Sequence, residues 1–241
     1  HREPNRTDYE SGNPKPEQLN DFEVGYRFGS QKLSVNINGY YMLYKDQLVL
    51  TGAMNDVGAA IRENSGNSYR LGLEIDGMWR FAEKWQINPS ITLSSNKNVD
   101  YKAQIDGEMV NLGNTNISFS PNVIIGNAFT FTPVNQLNIS LLTKFVGEQY
   151  MGNTDSEYSK LDAYLTNDIN IVYEMPLKKW FKSISFSVLA NNIFNVKYVS
   201  NGYYYTFDDD WSVPGTITTE HRSGYYPQAQ FNFLAGVSLK F

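Results

Sequence analysis

Long runs of strict two-residue alternation restrict this chain more than any other feature. Residues 22–28 put Phe22, Val24, Tyr26 and Phe28 on one face and Glu23, Gly25 and Arg27 on the other. The same period recurs at 33–43, 70–80 and 85–94, more weakly at 119–131, 137–147, 162–173 and 183–194, and again at 231–241. A period of two is the signature of a β-strand with unlike faces. About nine such strands are expected, many near the roughly 9–11 residues that cross a bilayer when tilted. Soluble strands average nearer 5–6 residues. Pro89 falls inside one run. Because proline cannot donate to a ladder, a local bulge is expected there.

Composition sharpens the choice. Mean hydropathy is −0.43, and no apolar run approaches the ~18 residues of a membrane-spanning helix. A barrel that alternates lipid-facing and lumen-facing residues has a similar average polarity. Seventeen tyrosines, fourteen phenylalanines and four tryptophans are many for so polar a chain. Tyr26, Trp79, Trp85, Tyr173 and Trp180 stand at strand ends, where a barrel carries interfacial aromatics. Twenty basic against 25 acidic residues leave no basic footprint for nucleic acid. The absence of cysteine removes thiolate metal sites, disulfides and a cysteine nucleophile.

Connection lengths alternate. Short links are expected at 29–32, 82–84, 132–135 and 174–179, and long ones at roughly 45–68, 95–117, 148–161 and 195–226. Outer-membrane barrels have short periplasmic turns and long extracellular loops. With nine strands the first and last both descend toward the periplasm. Single-chain bacterial barrels have even strand numbers. The expectation is therefore an all-β, antiparallel transmembrane segment of a larger barrel, with 1–18 in an extracellular loop and 19–241 as the carboxy-terminal wall. Glu23, Arg27, Arg70, Glu74, Asp76, Arg80, Lys144 and Asp168 fall on the lumen face. Mutual cross-strand ion pairs are the favoured expectation for most of them. On the lipid face a charge would cost about 2–4 kcal/mol at midplane.

These residues resemble a known family. Arg2-Glu3-Pro4-Asn5-Arg6, Lys15-Pro16-Glu17 and 22–27 are similar to the mid-barrel signature of TonB-dependent outer-membrane receptors. Tyr44-Lys45-Asp46-Gln47-Leu48, Asn64 and 68–74 are similar too. Asn191-Asn192-Ile193-Phe194-Asn195-Val196-Lys197-Tyr198 resembles the family's penultimate-strand motif, and Tyr225-Tyr226-Pro227-Gln228-Ala229 leads to a final strand ending in Phe241. The resemblance implies twenty-two strands, of which these would be the last nine, without the plug domain. It implies a transport receptor of the Gram-negative outer membrane, not an enzyme, embedded in outer-membrane lipid. It also implies TonB as a partner through the missing amino-terminal part and Phe241 as a signal to the barrel assembly machinery. The ligand would be a scarce small molecule such as a ferric siderophore or other metal chelate. A glycan importer of the same family is an alternative, since Tyr203 to Trp211 lacks the Asp-Pro-Glu often found in glycan importers.

Chemical motifs are sparse. His1 and His221 are the only histidines, so no metal site is expected and His221 is taken as a solvated loop residue. No Gly-x-Ser-x-Gly elbow supports a hydrolase, and nothing implies a cofactor. Asp208-Asp209-Asp210 reads as a solvated acidic loop, since its spacing is not that of a calcium loop. Tyr203, Tyr204, Tyr205, Phe207 and Trp211, with Tyr150 and Tyr158 in another long loop, could stack on a ligand or pack loop against loop. A small outer-membrane barrel enzyme or adhesin, with Asp208–Asp210 and His221 at its rim, and a soluble β-rich binding domain are the competing readings.

Overall fold

The computed structural model describes residues 1–10, 12–54, 60–177 and 182–241. Nine strands form one antiparallel sheet in chain order. They are β1 (Gln18–Gly29), β2 (Leu33–Lys45), β3 (Ser68–Ala82), β4 (Trp85–Asn98), β5 (Val123–Val134), β6 (Leu137–Val146), β7 (Tyr164–Pro176), β8 (Ser183–Asn191) and β9 (Asn232–Lys240). A two-residue strand, Thr115–Asn116, adds to the upper end of β4. The sheet is open, because β1 and β9 do not pair with each other. Strands reach 15 residues in β3, as the long alternating runs require.

Register carries one apolar face through the whole sheet. Phe22 pairs with Tyr41, Tyr41 with Leu71, Leu73 with Leu93, and Ile91 with Ile125. Phe129 then pairs with Leu141, Ile139 with Ile171, Ile171 with Val188, and Phe186 with Val237. A one-residue slip at any pair would turn a strand's whole apolar set to the other side. No second layer covers this face among the described residues. Val24 is 78 % exposed, Phe233 68 % and Val237 63 %. The buried apolar residues lie elsewhere, in the long connections: Leu48, Val49, Tyr101, Ile117, Met151, Leu161 and Tyr204. A soluble sandwich would bury the sheet face instead, so that reading fails.

The short turns lie at 30–32, 83–84, 135–136 and 177–182, the last with Lys178, Lys179 and Trp180 outside the described residues. All four long connections lie at the opposite end and build ribbons of their own. Leu48–Met54 pairs with Ala60–Asn64, and Lys102–Ile105 with Glu108–Asn111. Gln149–Tyr150 pairs with Lys160–Leu161, and Val199–Asp209 with Thr218–Pro227. These segments were expected as loops. Their own pairings satisfy backbone groups that would otherwise be left open.

The bulge expected at Pro89 is absent. Asp76 pairs with Ser90 and Trp79 with Ile87 in one register, and only the two intervening pairs drop out. Pro89 keeps its place opposite Asn127 on the other side. The missing N–H is accommodated by a gap in one ladder rather than by an extra residue.

At the end of β8, Asn192 and Asn195 adopt left-handed φ of 50° and 54°, which asparagine tolerates better than most residues. Asn192 bridges its own loop, accepting from the Val196 N–H and donating to the Val196 carbonyl, both at 2.8 Å. Asn195 accepts from the Phe231 N–H at 3.0 Å, which brings the chain back to β9.

Candidate functional site at the loop end of the sheet

The polar face of the sheet holds the eight charges expected to line a lumen, but not the expected ion pairs. Among the described residues none of the eight lies within 4.0 Å of an opposite charge. Register explains this. Glu23 stands opposite Tyr40, Arg27 opposite Asn36, Arg70 opposite Met42 and Asn96, and Glu74 opposite Asn38 and Thr92. Asp76 stands opposite Asn36 and Ser90, and Lys144 opposite Gly126 and Thr166. Neutral amides and hydroxyls do the hydrogen bonding. Asn36 Nδ2 donates to Asp76 at 3.1 Å, Arg70 Nη1 to Ser120 Oγ at 3.0 Å, and Arg80 Nη2 to Gln86 Oε1 at 3.4 Å. Asp168 is committed differently: its carboxylate accepts the Asn192 backbone N–H at 2.7 Å. Its role is to fasten the β8 loop.

Near the loop end this face forms a cavity of about 330 Å³. Glu23, Arg70 and Glu74 line it with Tyr40, and Phe119 and Ser120 close it from the connection between β4 and β5. Alternation had placed the three charges on the right face. It could not show Tyr40, Phe119 or Ser120, because the latter two arrive from a segment distant in sequence.

Above the sheet, the ribbon Val199–Asp209 with Thr218–Pro227 divides the predicted aromatic cluster. Tyr203, Tyr205 and Phe207 share one face, with ring centroids 6.4 Å apart at each step, and Trp211 stacks on Phe207 at 5.9 Å and 3°. The Arg222 guanidinium lies 5.4 Å from the Phe207 ring, a cation–π distance. Sequence reading missed Arg222; its register partner Tyr205 is the cue. Tyr204 points the opposite way and is buried with Met151 and Leu161. It belongs to the packing of the ribbon, not to an exposed binding face.

His221 is also not a solvated loop residue. Its Nδ1 is 2.8 Å from the Tyr204 hydroxyl, and its ring stacks on Tyr158 at 4.7 Å and 14°. The pair fastens the 147–163 connection to the ribbon. Tyr158 remains 62 % exposed on its other side. Tyr150 lies in the same connection, where its carbonyl accepts the Phe119 N–H at 2.8 Å and burial raises its phenol pKa. Asp155 accepts from the Asn116 N–H at 2.8 Å, and Asn153 from the Ser118 N–H at 3.0 Å. Three connections are thus joined by side chains.

Electrostatics at this end are local. The hydrogen bond from Lys160 to Glu148 raises the Lys160 pKa. Ser212 holds the Asp209 carboxyl below the ordinary range by hydrogen bonding. Of the acidic run, Asp208 accepts from Thr219 Oγ1 at 2.8 Å and Gln104 Nε2 at 2.9 Å. No group of three or more histidine and acidic side chains among the described residues could hold a metal ion.

The comparisons with known proteins agree with this architecture. The model of the TonB dependent receptor-like β-barrel matches residues 3–196. The pesticin receptor of Yersinia enterocolitica is 25 % identical over 188 residues, covering 76 % of this chain and 25 % of that protein. The chain therefore spans about a quarter of the length of the curated relatives it matches. Among solved structures, the copper transporter OprC matches with TM-score 0.64 and 16 % identity over 93 % of this chain and 32 % of that chain. The ferric-catecholate import receptor Fiu of E. coli K12 gives 0.62 and 14 % over 95 % and 28 %. The ferric yersiniabactin uptake receptor FyuA of Yersinia pestis gives 0.59 and 15 % over 92 % and 29 %. No helix among the described residues is long and apolar enough to cross a membrane, which leaves crossing by strands open. With an apolar face turned outward, a polar face carrying unpaired charges and all long connections at one end, the chain belongs to the TonB-dependent receptors, as part of their β-barrel.

Proposed function

We propose that this chain is the carboxy-terminal wall, 19–241, of an outer-membrane receptor that imports a scarce small molecule such as a ferric siderophore. Residues 1–18 belong to an extracellular loop of that receptor. Energy would come from TonB through the amino-terminal part of the whole protein, and Phe241 would serve barrel assembly. The observation that carries the reading is the set of lumen charges left without ionic partners beside the cavity of Glu23, Arg70 and Glu74. A polar group held without a charge partner is available to a passing ligand or to a plug, whereas an ion pair is already satisfied. The aromatic row of Tyr203, Tyr205, Phe207 and Trp211 supplies flat, half-exposed faces above it. Support for an iron chelate comes from the structural relatives named for ferric siderophores.

The test is growth of a strain lacking the full-length receptor on a panel of ferric chelates, cobalamin and glycans. Plasmid-borne receptor should restore growth on at least one ferric chelate, and Arg70→Ala should reduce that uptake. Restoration on a glycan or cobalamin alone would overturn the iron reading.

A further inference from the structure

The hairpin Lys102–Ile105 with Glu108–Asn111 stands out from the rest of the loop end. Its base is anchored: Tyr101 is buried, Asn116 and Ser118 bond Asp155 and Asn153, and the Phe119 N–H donates to the Tyr150 carbonyl. Its arms are exposed on both strands, with Met109 at 67 %. Its tip is fastened again, to a ribbon more than a hundred residues away.

That fastening is a closed set of bonds. Asp106 and Gly107 have φ of 51° and 82°, the conformation of a tight type I′ turn. The Asp106 N–H donates to Thr219 Oγ1 at 2.7 Å, and the Thr219 N–H donates back to Asp106 Oδ1 at 2.8 Å. The Thr219 hydroxyl passes its own proton to Asp208 Oδ1 at 2.8 Å, while Gln104 Nε2 donates to Asp208 Oδ2 at 2.9 Å. Ile217 approaches the Gly107 α-carbon closely enough that a methyl there would meet it at 3.0 Å. The directions are mutually consistent, since Thr219 accepts once and donates once through the same oxygen.

We propose that this hairpin is a strap over the mouth of the lumen, latched to the ribbon by Asp106 and Thr219, and that it swings about its base at Tyr101 and Thr115–Phe119. A solvent-exposed polar latch opens readily because water competes for every bond in it. A buried base with side-chain anchors does not. The same connection supplies Phe119 and Ser120 to the cavity, so the strap's base borders the site it covers. The proposal rests on the lumen reading given above, but its test needs no cargo.

The experiment uses the full-length receptor in outer membranes of intact cells, with Thr92→Cys as the reporter on the cavity wall and a membrane-impermeant maleimide as the probe. Thr219→Val, which removes the hydroxyl, should raise the labelling rate about tenfold, the effect expected from losing several linked hydrogen bonds. Thr219→Ser should restore the wild-type rate. Equal rates in all three would overturn the strap. Hydrogen exchange on Thr219→Val should show faster exchange at 102–111 with 115–119 unchanged. Loosening of both segments together would overturn the hinged motion. Failure of the growth panel with success of the labelling would sink the import reading alone.

Discussion

The ring of Tyr40 lies across the α-carbon of Gly72, its register partner on β3, so closely that no side chain fits beneath it. Ring and glycine form one joint on the polar face, at the wall of the cavity lined by Glu23 and Glu74. The same device recurs above the sheet, where Tyr203 lies over Gly224, its partner across the ribbon. A glycine inside a strand normally weakens it, and a close neighbouring group accounts for its presence.

Gly72→Ala should therefore push Tyr40 off the strand and destabilise the folded receptor by about 1–3 kcal/mol, the usual cost of overpacking. The midpoint of unfolding in urea, read by the heat-modifiable shift on gels, measures it. Tyr40→Ala combined with Gly72→Ala should recover part of the loss, because the clash disappears.

Asn192 should prove structural rather than ligand-binding. Asn192→Ala removes the bonds to Val196 and leaves alanine at φ 50°. Backbone strain of this kind costs on the order of 1–3 kcal/mol. Asn192→Gly keeps the φ and loses only the side-chain bonds, so it should be the milder of the two. The yield of folded barrel in the outer membrane gives the order.

His221→Ala should free the 147–163 connection from the ribbon, with faster hydrogen exchange at 156–161. An aromatic pair contributes about 0.5–1.5 kcal/mol beyond burial. His221→Phe keeps the stack on Tyr158 and loses only the Tyr204 hydroxyl contact, so its exchange should lie between the two.

Tyr101 carries the clearest pH dependence. Burial, with Glu63 nearby, pushes its phenol up to about 12. The folded state then holds this proton where the unfolded chain has lost it. Its contribution to stability is whole below the ordinary tyrosine pKa of about 10 and is lost as pH rises toward 12. The difference in tyrosinate absorbance between wild type and Tyr101→Phe should show a single late titration. A step near pH 10 would contradict the burial.

On the exposed aromatic row, Tyr205→Ala and Trp211→Ala should each lower affinity for the chelate identified by growth about tenfold, in keeping with the loss of one stacked ring. Tyr204→Ala, on the buried side, should instead lower the amount of folded receptor. Titration of purified full-length variants separates the two outcomes.

Alternation alone was enough to read the nine strands, the two faces and the end at which the long connections gather, because a strand's faces are written in its own residues. The strand ends shifted by a few residues, as at 119–131 against Val123–Val134. The family resemblance rested on local motifs, and Asn192 and Asn195 show why those residues recur: both hold positive φ and close the turn into β9.

What the sequence could not hold was anything set by partners far along the chain. The expected ion pairs depended on register, and register put amides and hydroxyls opposite each charge. His221 looked like a lone loop histidine until Tyr158 and Tyr204 arrived beside it from other segments. The division of Tyr204 from Tyr203 and Tyr205 needed the ribbon's docking to say which face is buried. Side-chain period is a local property of the chain, so the wall was readable residue by residue. The latch of Asp106 on Thr219 joins residues 113 positions apart, and only the folded molecule brings such residues within hydrogen-bonding distance.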